Sequence, residues 1–379
     1  VAVEVNRDHL AALRQHDSAM KWFPENDRGI ELNGTLNLIE WSATSPFGVG
    51  RAAFSEGVRA GMGRAGAVEP VSGPAGGACL IPDFDVRAAL GKKGTRTMNR
   101  LTGMAVITVG QLLGAMDEEV PAEELGLVLG TTVGSAQSAM DFVRASLTAD
   151  EPFRVESGLI PYAVINGSAG QCAIWHKLRG PNATVAAGRA AGLLALNYAR
   201  RLLLTGRART VLAGSAEEYS EARHWIARAA GETADPLGEG CAMFALTNSP
   251  VAEPIAEIHA IQVMNCTDGD WRAVVRMCVD RVLATAGIEA ARVRLACPSG
   301  APNELGDGEL AALGEILPDA VLLEPIGRLI GETHAVSAAF QLAAVLSVAD
   351  RDPSLAGGFA VVTSVDDSGT TAAALLRLR

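Results

Sequence analysis

Residues 184–193 read Thr184-Val185-Ala186-Ala187-Gly188-Arg189-Ala190-Ala191-Gly192-Leu193 and open an apolar, alanine-rich run that continues to Leu204. From Gly188 onward the run is too uniformly hydrophobic for a surface helix, so it predicts a buried one. Short apolar stretches at 125–130, 210–214 and 242–246 read as strands around it. Upstream, 38–42 reads as a strand leading through Pro46-Phe47-Gly48 into a helix around 50–61. Residues 62–82, rich in Gly, Pro and Ala, read as a surface connection. Helices are expected near 98–117 and 135–147. The second half repeats this grammar. Strands are expected at 255–263, 293–297 and 321–323, helices at 271–286 and 333–349, and a closing hairpin at 359–363 and 372–378. Two α/β stretches of like pattern suggest an internal duplication.

The composition agrees with a layered α/β protein. Hydrophobic residues make up 49% of the 379 residues and aromatic residues only 4%, so Ala, Val, Leu and Gly must fill the core. A net charge of -11 disfavours nucleic acid and anionic membrane as partners. No apolar run reaches the ~18 residues that span a bilayer. The polar start (Glu4, Arg7, Asp8, His9) shows no signal peptide, and a soluble cytoplasmic protein is expected. The six cysteines (Cys79, Cys172, Cys241, Cys266, Cys278, Cys297) form no CxxC pair and read as buried free thiols. The six histidines lack ligand spacing, so neither a metal nor another cofactor is expected.

Four pieces occur in order: Pro161 to Gln171 around Asn166-Gly167; Leu178-Arg179-Gly180-Pro181-Asn182 with Thr184 to Leu193; Leu212 to Glu217; and Leu237-Gly238-Glu239-Gly240. Together they resemble the β-ketoacyl synthase family, from about Leu38 to the C-terminus. The resemblance implies a thiolase-like α/β fold of five layers (αβαβα) built from two duplicated halves. They would be a half at 36–252 and a half at 253–379, after an irregular extension at 1–35.

In that family a nucleophilic cysteine follows the Thr-Val segment at a strand-to-helix elbow. There a helix N-terminus lowers the thiol pKa and presents N–H groups as an oxyanion hole. By this resemblance the cysteine position is Arg189, whose guanidinium cannot carry an acyl group. Aligned on Gly306-Asp307, the first catalytic histidine becomes Ser299. In Ile330-Gly331-Glu332-Thr333 the second becomes Glu332, and the family's lysine becomes Gly327. His334, two residues on, would point elsewhere on its helix. The Gly-Phe-Gly-Gly gating loop becomes Val365-Asp366-Asp367-Ser368-Gly369, and the chain is shortened around 233–240. No catalytic residue is therefore assigned. Because the cysteine and second-histidine positions face each other in the family, Arg189 and Glu332 are expected to form a buried ion pair.

The resemblance is strongest to the inactive chain-length factor of type II polyketide synthases. It implies a heterodimer with an active ketosynthase, contact with an acyl carrier protein, and a shared tunnel for the growing acyl chain. The tunnel positions would be Ala136, Ala139, Met140 and Val143. Spacings of three and four put Ala136, Ala139 and Val143 on one helix face, and their small size implies a deep tunnel for a long or reduced, polyene-type chain. An ordinary small-residue packing face reads equally well. Basic clusters at Lys92, Lys93, Arg96 and Arg100 and at Arg200, Arg201, Arg207 and Arg209 are either carrier-protein contacts or solvated helix faces. Two other functions stay open. One is a cysteine-independent acyltransferase or malonyl decarboxylase using Ser299 or His334, with Arg189 holding a carboxylate. The other is a homodimeric carrier-protein scaffold.

Overall fold

The computed structural model describes residues 34–379 apart from 62, 64–65, 69–75, 118, 232–235 and 252. The extension expected over 1–35 lies outside these residues except at its last two, as do 233–235 of the shortened loop. Ten strands make the path of the main sheet. They are β1 (Leu36–Ser45), β2 (Leu125–Thr131), β3 (Asn182–Ala186), β4 (Thr210–Glu217), β5 (Gly240–Thr247), β6 (Ala256–Asn265), β7 (Val293–Cys297), β8 (Val321–Leu322), β9 (Phe359–Val365) and β10 (Thr370–Leu378). The principal helices are α1 (Arg51–Ala60), α2 (Arg100–Ala115), α3 (Ala136–Thr148), α4 (Gly167–His176), α5 (Ala191–Leu204), α6 (Glu221–Ala229), α7 (Trp271–Ala286), α8 (Asn303–Ile316) and α9 (Ser337–Ala349).

Outward from the centre, the first half runs β1-β5-β4-β2-β3 and the second β6-β10-β9-β7-β8. Both orders are first, fifth, fourth, second, third, which is the duplication in structural form. The halves join where Leu36, Asn37 and Leu38 of β1 pair antiparallel with β6.

Period-two side chains show why the sheet is covered on both faces. In β2, Leu127 and Leu129 enter an outer core with α2 and α4, while Val128 enters the central core. In β9, Val361 enters a second outer core under α7 and α8, while Ala360 and Val362 face the centre. Three cores between alternating helices and sheet give five layers. The central layer is α5 against α9, and eleven of the thirteen α9 residues are buried. Gly192 makes that approach possible: a Cβ there would lie 2.8 Å from the Ala339 backbone nitrogen.

The long helices and the closing hairpin fall where the periodicity puts them. The connection expected at 62–82 instead contains the strands Gly66–Val68 and Gly76–Cys79 of a small three-stranded sheet, completed by Leu237–Gly238. Its glycine-rich composition reads as loop because strands of two to four residues leave no apolar period in the sequence. The helix expected from 333 begins as a 3-10 turn, with His334 at φ 40, and becomes regular only at Ser337. α4, α6 and α8 were not expected.

Candidate functional site

The elbow forms where β3 ends and Gly188 turns the chain into α5 through a 3-10 turn. Gly188 has φ +47, a conformation that favours glycine, and a Cβ there would collide with the Asp366 carboxylate. Arg189 follows, 3% exposed. Its Nε and Nη2 donate to Glu332 Oε2 at 3.2 and 3.0 Å. The two positions brought together by the resemblance thus meet as an ion pair, with Arg189 buried and Glu332 half-buried.

Glu332 is held firmly. Its N–H donates to the Pro236 carbonyl, and its carbonyl accepts from the Gly238 N–H and from Arg223 Nη2, each at 2.8 Å. Buried Arg223 also donates to the Glu218 and Gly238 carbonyls, pinning the loop beneath the site. Glu332 Oε1 accepts from the His334 N–H at 2.7 Å. Burial opposes the Glu332 charge, but Arg189 and His334 outweigh it and hold the carboxyl down to about 2.

Ser299, 4% exposed, is tied to Glu309 instead of facing a cavity. Its N–H and Oγ both donate to the Glu309 carboxylate, Oγ at 2.5 Å, and Thr363 Oγ1 donates at 2.6 Å. Burial pushes Glu309 up to about 7, against these hydrogen bonds and the Arg189 charge. The Arg189 backbone N–H donates to Asp366 Oδ2 at 2.7 Å. Motif reading missed Glu309, Arg223 and the Asp366 contact. The acidic replacement in the gating loop was the one available signal.

No cysteine lies at the elbow. All six cysteines are buried, and burial pushes Cys241, Cys278 and Cys297 up to about 12 and Cys79 up to about 11. Among the described residues no group of three or more His, Cys, Asp or Glu is placed for a metal ion, and no helix is long and apolar enough to cross a membrane.

The positions expected to line a tunnel lie on α3, away from the ion pair in sequence and facing outward in part. Ala136 is buried and Ala139 half-buried, while Met140 is 41% and Val143 55% exposed. Behind α3, buried Glu218 accepts from Ser135 Oγ at 2.8 Å and from the N–H groups of Gln137 and Leu101, fixing the starts of α3 and α2 together. Burial, aided by the neighbouring Glu217 charge, pushes Glu218 up to about 7. α3 packs on the short helix Ile160–Ala163, which packs on α4, which packs on β3. Along these segments Val133, Met140, Val143, Leu147, Ile160 and Ile174 are exposed. β3 ends the sheet and pairs only with β2 among the described residues.

Residues 69–248 match the model of the β-ketoacyl synthase N-terminal domain. A solved ishigamide ketosynthase/chain length factor superposes with a TM-score of 0.86 at 42% identity, covering 91% of this chain and 99% of that one. A type II PKS acyl-carrier protein in complex with its ketosynthase bound to the hexaketide gives a TM-score of 0.76 at 16% identity, covering 92% of this chain and 100% of that one, a likeness of fold. The 3-oxoacyl-[acyl-carrier-protein] synthase 2 of Vibrio harveyi is 29% identical over 144 residues, which are 37% of this chain and 34% of that protein. The chain thus spans about a third of the length of that curated relative. With 42% identity over 91% of its length, the chain belongs to the β-ketoacyl synthase family and resembles a ketosynthase/chain length factor.

Proposed function

We propose that this chain is a non-catalytic, chain-length-factor-like subunit that pairs with an active ketosynthase and shapes the tunnel for its acyl chain. The observation that carries the reading is the ion pair of Arg189 with Glu332, which fills the elbow with groups unable to form a thioester. The open β3 edge and the apolar face of α3 support the second half of the reading. An unpaired edge beside exposed hydrophobic side chains is a place for another chain to add. The partner ketosynthase adds here, and its surface closes over Met140 and Val143 to complete the tunnel wall. The small Ala139 and Val143 side chains suit a long or reduced, polyene-type chain.

The acyl carrier protein meets the exposed Lys92, Lys93 and Arg96, a basic patch on an acidic chain. Arg100 is engaged with Glu239, and Arg200 is buried, so neither contributes. Ser299 bound to Glu309 disfavours the acyltransferase alternative.

The test is acyl extension by this chain with a ketosynthase from the same source, each alone and mixed. The reading expects activity from the mixture only, abolished when the ketosynthase's own nucleophilic cysteine is changed to alanine. Extension by this chain alone would refute it.

A further inference from the structure

We infer that Asp366 is a built-in anion occupying the elbow's N–H pocket, so that this site is closed to any acyl-transfer chemistry and not merely short of a cysteine. The N-terminus of a helix directs unpaired N–H groups outward and attracts negative charge. At the start of α5 the Arg189 N–H already has its anion, with Asp366 Oδ2 at 2.7 Å. The carboxylate is fixed from its other side. Asp366 Oδ1 accepts from Ser368 Oγ at 2.6 Å and from the Ser368 N–H at 3.1 Å. The turn is closed by Asp366 N–H to the Thr370 carbonyl and Gly369 N–H to the Asp366 carbonyl, each at 2.9 Å.

Asp366 is 4% exposed and lies so close to Gly188 that a Cβ on that glycine would sit 1.9 Å from Oδ2. The contact also crosses the duplication. The elbow belongs to the first half, and the carboxylate comes from the β9–β10 turn of the second.

The charges around Arg189 reinforce this reading. Its guanidinium faces Glu332 while its backbone N–H faces Asp366, so the side chain and the main chain of Arg189 each meet a carboxylate. A thiolate or an oxyanion placed here would meet a carboxylate where it needs a donor. Restoring a cysteine at the elbow therefore leaves it unreactive. Another nucleophile near the elbow would equally lack a hole for its oxyanion. The inference stands whether or not the chain pairs with a ketosynthase.

The test uses the full chain carrying Arg189→Cys with Glu332→Gln, so that no buried partner charge is stranded. Alkylation of the introduced thiol by iodoacetamide is followed by peptide mass against pH, with Asp366 retained or changed to Gly or Asn. Removing the carboxylate is expected to lower the thiol pKa by about one unit or more and speed alkylation about tenfold at neutral pH. Rates agreeing within about twofold across the three would overturn the inference. A second measurement does not need Arg189 changed. Asp366→Ala in the otherwise native chain should lower Tm, and formate should restore part of the loss when chloride at equal ionic strength does not. Equal responses to formate and chloride, or an unchanged Tm, would count against the plug.

Discussion

The elbow and the α3 face belong to the same half of the molecule and are built on opposite terms. At the elbow polar groups find partners inside the chain: Arg189 with Glu332, Asp366 with the Arg189 N–H, and, nearby, Ser299 with Glu309. On the α3 face, Val143 and Leu147 lie open at 55% and 80% exposure, and β3 presents one unpaired edge among the described residues. The elbow is filled by groups of its own chain, and the α3 face is left open.

The largest effect expected of a single change is at the elbow. Arg189→Ala strands Glu332 and should cost about 3–5 kcal/mol in urea unfolding, while adding Glu332→Leu should recover most of it. A loss below about 1 kcal/mol would mean that the pair reaches water and the elbow is not sealed.

Next comes pH. Glu218 and Glu309 hold protons near neutrality that the unfolded chain loses above about 4.5. The native state then binds more protons than the unfolded one, so stability should fall as pH rises from about 4.5 to 7 and level off above. The loss is roughly 3 kcal/mol or a little more for each carboxyl. Glu309→Gln should remove its share of the slope. Glu332 acts with the opposite sign: its contribution persists at neutral pH and disappears as pH falls from about 4.5 towards 2. Chemical denaturation across this range distinguishes the three.

A smaller effect sharpens the other side of the comparison. Val143→Arg should leave the Tm of the isolated chain within a degree or so. It should weaken ketosynthase binding roughly 30-fold, or ~2 kcal/mol, by titration calorimetry. Smallest in energy is Ala139→Phe, which should barely change stability or association yet shorten the acyl product seen by mass spectrometry. Ala136 is a poorer choice, because it is buried within its own chain and enlargement there overpacks the core.

Much of the fold was legible because its helices and strands bury continuous faces. The short apolar runs of β2 and β9, buried throughout, and the apolar patterns of α5, α7 and α9 mark these elements. α8 escaped because Gly306, Gly308 and Gly314 weaken its helical signal. Two of them serve close approach: a Cβ on Gly306 would strike the Ala301 carbonyl, and one on Gly308 would press on Trp271. The Arg189–Glu332 pair was legible because the family resemblance places both positions in one constellation. The Asp366 contact was not. A backbone N–H meeting a carboxylate 177 positions away leaves no periodicity, and backbone donors have no residue type. Glu309 was hidden in the same way, since its partners Ser299 and Thr363 are common residues made meaningful only by burial.

The most direct test of the central claim is the native mass of this chain co-expressed with a ketosynthase from the same source. The account predicts a one-to-one heterodimer that persists when Ala139 is enlarged and dissociates when Val143 is made arginine. A stable homodimer that ignores the ketosynthase would contradict it.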